Sequence, residues 1–259
     1  MPSISVDHNL CEKDSFCVMV CPVGNIFLGK DGFPTSGNNC IRCGHCQAVC
    51  PYDAITLHEI LPQELEIADH KAVDFPALAK FVKNRRSIRE FKDQPIPPLV
   101  IDELMDAVRW APTGGNSQLA RWIFVEKKET MKEASRLVVE WAKTKPDFSN
   151  IVESYEGGYD SVLRGAPHLL LTYSGIEYGS TRLDCAIAMT TLELLAVSKG
   201  IGTCWAGFLI QALGERYQPL ADLLGVPKGQ FVNAALMLGY SRIQYRRVPK
   251  RNARLIKKV

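Results

Sequence analysis

The chain has 259 residues, 46% of them hydrophobic and 23% charged, with a formal net charge of +3, an ordinary globular composition with length for one large domain or a small one joined to a medium one. So mild a charge argues against a nucleic-acid or anionic-membrane partner, and no apolar run reaches the ~18 residues of a transmembrane helix. The start M-P-S-I-S-V-D-H-N-L lacks the basic and apolar regions of a secretory signal, so a cytoplasmic chain is expected.

The first sixty residues repeat at an offset of 29: Cys11, Cys17, Cys21, Pro22, Ile26 and Leu28 fall on Cys40, Cys46, Cys50, Pro51, Ile55 and Leu57. Each half reads as a loop, a short helix carrying the last cysteines and a short strand, too small to fold alone. Seven of nine cysteines lie between Cys11 and Cys50, and cytosolic thiols stay reduced, so metal binding is favoured over disulfides. Thiolate suits iron–sulfur clusters, zinc or Cu(I). Zinc sites pair two C-x2-C elements a dozen or more residues apart. Cys40, Cys43, Cys46 and Cys50 instead follow at gaps of two, two and three with Pro51 after them, the ferredoxin-type spacing in which three thiolates reach one cube and the fourth the other. One 4Fe–4S cluster is therefore expected on Cys40, Cys43, Cys46 and Cys21, and three corners of a second on Cys11, Cys17 and Cys50. Asp14 stands at the second-cysteine position of the first repeat. Either its harder carboxylate ligates a weakly held iron, or that cluster interconverts with a 3Fe–4S form, or Asp14 is a surface residue and a water or nothing fills the corner. His45, inside the cluster loop, is read as shielding or tuning the cluster. Residues 1–60 resemble two-cluster bacterial ferredoxins, which implies one-electron transfer and a βαβ-βαβ fold.

Residues 61–84 read as a linker punctuated by Pro62 and Pro76, with short helices marked by Leu65, Ala68, Leu78, Phe81 and Val82. A larger domain is expected over 85–259. Pro97 and Pro98 open a helix with Ile101, Leu104, Met105 and Val108 on one face, and Pro112 ends it. Trp122 to Val125 predicts a strand, and Met131, Ala134, Leu137, Val138 and Trp141 an amphipathic helix. Lys143 to Gly165 has no clear period and is read as an excursion. Leu169 to Tyr173 predicts a buried strand after a structural His168. Leu183 to Val197 predicts an apolar helix stopped at Lys199-Gly200, with Cys185 in the core and Asp184 on its surface. Helical turns near Leu220 to Leu224 precede a strand from Phe231 to Leu238. The pattern is α+β or α/β with a mixed sheet.

Two basic stretches frame this domain. N-R-R-S-I-R-E-F runs from Asn84 to Phe91 and Y-R-R-V-P-K-R from Tyr245 to Arg251. Guanidinium forks and a hydroxyl suit a phosphate, although taken alone these stretches read as solvated basic faces. No G-x-G-x-x-G or Walker loop occurs. With A-P-T-G-G-N-S-Q (Ala111 to Gln118) and G-I-G-T-C-W-A-G-F (Gly200 to Phe208) in order between them, residues 84–259 resemble the nitroreductase family of FMN enzymes, here fused to a ferredoxin. The fold implied is α+β: a bacterial ferredoxin-like domain, then a nitroreductase-like mixed sheet flanked by helices.

The resemblance implies that Arg85, Arg86, Ser87 and Arg89 bind the FMN phosphate and ribityl end. One or two of Arg247, Lys250 and Arg251 would close the phosphate site. Thr113, Asn116 and Gln118 would lie at the flavin, in the family often the partner subunit's, and amides near Ala206 and Gly207 at its N5 edge. Cys204 and Trp205 are read as ordinary core residues, and no catalytic side chain is assigned. A homodimer is implied. So are an external donor (ferredoxin, flavodoxin or NAD(P)H), passage of electrons through the clusters to FMN, and a nitroaromatic or quinone-like acceptor. A redox sensor or electron-carrier module, and another flavin reaction such as dehalogenation, ene reduction or flavin destruction, stand as alternatives.

Overall fold

The N-terminal repeat folds as β1 (Ile4–Val6), α1 (Phe16–Met19), β2 (Ile26–Leu28), β3 (Pro34–Ser36), α2 (His45–Ala48) and β4 (Ile55–Leu57) in the computed structural model. The structure describes residues 3–69, 71, 73–175 and 180–259. β1 pairs antiparallel with β4, setting Ile4 opposite Leu57 and Val6 opposite Ile55. β2 pairs antiparallel with β3, with Ile26 opposite Ser36. The result is two βαβ halves. Their internal likeness extends to the backbone: Lys13, Ser15 and Gly24 have positive φ, and so do Arg42, Gly44 and Asp53 at the same offset. Ile4, Cys17, Ile26, Cys46, Ile55 and Leu57 are its buried core.

The chain divides into two compact units, Met1–Ala72 with Gly114–Gln118, and Val73–Thr113 with Leu119–Val259. The second begins inside the expected linker, with α3 (Phe75–Asn84). Asp74 caps it, its Oδ1 accepting the Ala77 amide at 2.7 Å, and Pro76 occupies its first turn, where a missing N–H costs nothing. Then come α4 (Pro98–Val108), β5 (Arg121–Val125), α5 (Lys128–Ala142), α6 (Ser149–Glu156), β6 (His168–Ser174) and α7 (Ser180–Ser198). β7 (Gly202–Trp205), α8 (Gly207–Gly214), α9 (Gln218–Leu223) and β8 (Phe231–Gly239) complete it.

The strands form one sheet in the order β5-β6-β8-β7, every pair antiparallel. A parallel bridge from Ser87 to Thr203 gives it its mixed character. Alternation along the central strands sorts the core into two layers. Leu169, Leu171, Ala235 and Met237 pack with residues of α5, α6, α8 and α9. Leu170, Ala234, Leu236 and Leu238 pack on the opposite face with residues of α4 and α7.

Two expectations need correction. Lys143 to Gly165 is not an excursion: Ile151, Val162 and Leu163 are buried in the core. Phe148, Ile151, Val152 and Tyr155 share one helical face against the core, and one side chain fixes the turn that follows. Asp160 accepts the amides of Val162 and Leu163 at 2.9 and 3.0 Å and the Ser135 hydroxyl at 2.9 Å. Asp184, read as a surface charge, is buried on α7. Cys185 and Cys204 lie in the core as expected.

Candidate functional site

In the N-terminal unit the thiols gather into two sets. Cys21, Cys40, Cys43 and Cys46 line one small cavity, with Gly44 and His45 at its wall. Cys11, Cys17 and Cys50 line another, with Asp14. The cavities group the thiols as the spacing does, with Cys21 and Cys50 each on the side of the opposite half. No disulfide forms among them. Burial pushes the Cys46 thiol up to about 11 and the Cys17 thiol above its ordinary range, only partly opposed by amide hydrogen bonds. Iron binding therefore has to displace protons from these sulfurs. Amides also address the ligand atoms: Asn25 N donates to Cys21 Sγ at 3.2 Å and Arg42 N to Cys40 Sγ at 3.4 Å. Such bonds are among the devices that set a cluster's potential. Asp14 turns one oxygen inward on its own loop, its Oδ1 accepting the Phe16 amide at 3.0 Å.

Gly114–Gln118 belongs to this unit. The Asn116 amide group donates to the carbonyls of Ile41 and Arg42, both at 3.0 Å, and Gln118 Nε2 donates to Asn116 Oδ1 at 3.1 Å. Two residues expected at the flavin thus brace the loop between Cys40 and Cys43, while Thr113 falls in the second unit.

In the second unit the segment after α3 is pinned at both ends. Ile88 N donates to Thr203 O at 2.8 Å, and Ser87 bridges Thr203. Lys92 N donates to Tyr240 O at 2.8 Å, Arg242 N to Glu90 O at 2.9 Å, and Phe91 bridges Ser241. Ile88 and Phe91 anchor it in the core, so Arg85, Arg86, Ser87 and Arg89 lie along the ends of β7 and β8. The approach depends on Gly202, where a Cβ would stand 2.7 Å from Ile88 Cγ1.

The charges form a cationic cradle with one buried carboxylate. Arg85 Nη1 lies 3.1 Å from Glu193 Oε1. Thr203 Oγ1 donates to the same oxygen at 3.1 Å. Arg86 Nε is buried without a partner, and its guanidinium stands over the Tyr245 ring at 5.6 Å. Burial raises the Cys204 thiol, against the opposing pull of the nearby Arg89, Arg164 and Arg85 charges. Arg164 was not foreseen. It sits at φ 59° in the stretch without a period, where only its charge offered a signal. Of the C-terminal basic stretch, Tyr245 reaches the cradle, whereas Arg247, Lys250 and Arg251 are exposed along the tail.

Ala206 and Gly207 join β7 to α8. Ala206 N is committed to Ala235 O at 3.0 Å. Gly207, first in its helix, carries an amide with no intrahelical acceptor. It also lines a cavity of about 530 Å³, whose wall includes Arg182, Gln211, Lys228 and Asn233. Among the described residues, no helix is long and apolar enough to cross a membrane.

A model of the nitroreductase family matches residues 82–240, and one of the 4Fe-4S binding domain matches residues 37–56. A protein of Archaeoglobus fulgidus provisionally named NADH dehydrogenase/NAD(P)H nitroreductase is 29% identical over 163 residues, spanning 63% of this chain and 84% of that one. Ferredoxin 7Fe of Hydrogenibacillus schlegelii is 43% identical over 63 residues, 24% of this chain and 81% of that one. The solved nitroreductase with bound FMN from Desulfitobacterium hafniense is 26% identical, with a TM-score of 0.60, and covers 70% of this chain and 97% of its own.

Proposed function

The chain belongs to the nitroreductase family and is a flavin-dependent oxidoreductase with a 4Fe-4S ferredoxin-type domain; on that footing we propose that a reduced carrier delivers electrons to its clusters, that they pass to FMN, and that the final acceptor is a nitroaromatic or quinone. When bound, FMN supplies the exchange between one-electron and two-electron chemistry. The observation that carries this reading is the cradle over Arg85 to Arg89. Its donors outnumber its carboxylates, and the unpartnered buried Arg86 Nε calls for an acceptor. A phosphate monoester answers both features.

Arg85, Arg86, Ser87 and Arg89 would hold the phosphate and ribityl end. Gly207 N would face the N5 edge, where an added side chain would keep the backbone away. The cavity beginning at Gly207 would admit the acceptor. A homodimer is proposed, with α7 supplying part of its interface through Leu183 and Ile187, exposed one helical turn apart. In the N-terminal unit, Cys21, Cys40, Cys43 and Cys46 would hold a 4Fe–4S cluster. Cys11, Cys17 and Cys50, with or without Asp14, would hold one that reaches a three-iron form. The similarity to the seven-iron ferredoxin of Hydrogenibacillus schlegelii supports that reading. Such clusters suit a cytoplasmic, low-oxygen setting.

The test is anaerobic purification with flavin and iron assays, followed by turnover of a nitro and quinone panel driven by reduced ferredoxin or by NAD(P)H. Cys43→Ala should slow carrier-driven turnover while leaving FMN content unchanged. Carrier-driven rates equal to those of the unsubstituted protein would end the proposed path.

A further inference from the structure

From the Arg85–Glu193–Thr203 contacts we infer that Glu193 and Thr203 are positioning residues that fix the Arg85 guanidinium for a phosphate monoester. The inference rests on the proposed FMN site and goes beyond it, since neither residue belongs to the basic stretches.

Glu193 lies on α7, buried at 5% exposure. A carboxylate so placed is costly unless its lone pairs are used. Here one oxygen accepts both Arg85 Nη1 and Thr203 Oγ1 at 3.1 Å. Thr203 is fully buried, and its backbone carbonyl receives Ile88 N. One residue of β7 thus sets the register of the Arg85–Arg89 segment through its main chain and helps hold Glu193 through its side chain.

Arg85 is the only member of the trio that reaches outward, with 24% of its side chain exposed. Guanidinium has five N–H donors in a planar fork, and the contact with Glu193 uses Nη1. The rest of the fork is held in a set plane, so its rotamer freedom is already lost before an anion arrives. A free arginine here would attract a phosphate as strongly by charge alone, but it would have to be ordered on binding. Glu193 also sets a limit. Its negative charge subtracts from the cradle, so its net benefit lies in orientation, and an uncharged acceptor of the same shape should serve as well.

That distinction makes the inference testable by affinity, independent of turnover. The experiment compares FMN with riboflavin, which has the same ring and ribityl chain but no phosphate, by fluorescence titration of flavin-depleted full-length protein. Glu193→Ala should weaken FMN binding by about tenfold, the scale of one charge-assisted hydrogen bond, and leave riboflavin binding unchanged. Glu193→Gln, which retains the acceptor oxygen, should bind FMN within about threefold of the unsubstituted chain. In an Arg85→Ala background, Glu193→Ala should add nothing further. If Glu193→Ala does not fold, Thr203→Val carries the same FMN-selective expectation with a smaller loss.

Equal weakening of FMN and riboflavin would make the trio a structural link and overturn the inference. So would unchanged FMN affinity in Glu193→Ala, or an undiminished effect without Arg85. An unsubstituted chain that binds FMN no better than riboflavin would instead remove the phosphate site on which the inference rests.

Discussion

Asp14 interrupts a repeat that is otherwise one of cysteines, and it lines the same cavity as Cys11, Cys17 and Cys50. Asp14→Cys should therefore complete a four-thiolate set. The expected outcome is loss of the three-iron EPR signal of the oxidised protein and slower loss of iron in air; a three-iron signal unchanged in the variant would show that the corner is not set by residue 14. The cysteine sets were legible because spacing alone limits which thiols reach one cube. The backbone likeness of the two halves was not, because it joins unlike residues. Ser15 enters α1 at φ 65° where Gly44 enters α2 at φ 77°. The left-handed region costs a residue with a Cβ about 1 kcal/mol or more, so Gly44→Ala should destabilise the N-terminal unit by about 1 kcal/mol, and Ser15→Gly should be neutral or stabilising. Denaturant titration of the iron-loaded protein, followed by cluster absorbance, measures both.

At the scale of elements, legibility followed periodicity. α4, α5, α7, β6 and β8 announce themselves by apolar spacing, and all five are present within a few residues of the expected bounds. α6 carries such a stripe, Phe148, Ile151, Val152 and Tyr155, over only two turns, and the turn after it is ordered by Asp160 rather than by apolar spacing. β7 and α8 were not foreseen as elements: the stretch G-T-C-W-A-G holds β7 in its first four residues and opens α8 at its last. How elements meet was less visible still. Nothing in the sequence shows that Gly202 sits under Ile88, yet Gly202→Ala would force the Arg85–Arg89 segment outward. The expected loss is about 1–3 kcal/mol of stability, with weaker FMN retention. Stability lost with FMN affinity intact would mean that the segment's register does not make the phosphate site. His168 shows a second junction of this kind: at the start of β6 its Nε2 accepts the Ile96 amide at 2.9 Å, and its ring stacks on Phe124. Burial lowers its proton affinity below the ordinary value of 6.5, against a weaker pull from Glu126. The unfolded chain then binds the proton more readily than the folded one. The stability contribution is fully present above pH 6.5 and is lost as pH falls through the window below it. Chemical denaturation of the protein and of His168→Asn from pH 7.5 down to about 5.5 should show a steeper fall in the protein itself; parallel profiles would remove His168 from the account.

At the scale of the molecule, the two units differ in what can hold them folded. The second has a four-stranded sheet with a buried layer on each face. Among its described residues, the first has two two-stranded ribbons, two helices of four residues each, and a core cluster of six buried residues, two of them cysteines. Burying one large apolar side chain contributes roughly 1.5–3 kcal/mol, and ordering each residue of chain costs ~1–2 kcal/mol, so so small a core does not carry this unit without its metal. As the proposed cluster ligands the thiols would complete the core, and the free energy of cluster binding would become folding free energy. Removing iron anaerobically with oxidant and chelator should therefore open the N-terminal repeat while the sheet of the second unit persists. Hydrogen exchange measures this directly: amides of β1, β2, β3 and β4 should lose protection, and those of β6 and β8 should keep it. Retained protection of the N-terminal strands after complete iron loss would show that the repeat folds on its own apolar contacts, and that its cysteines serve electron transfer alone.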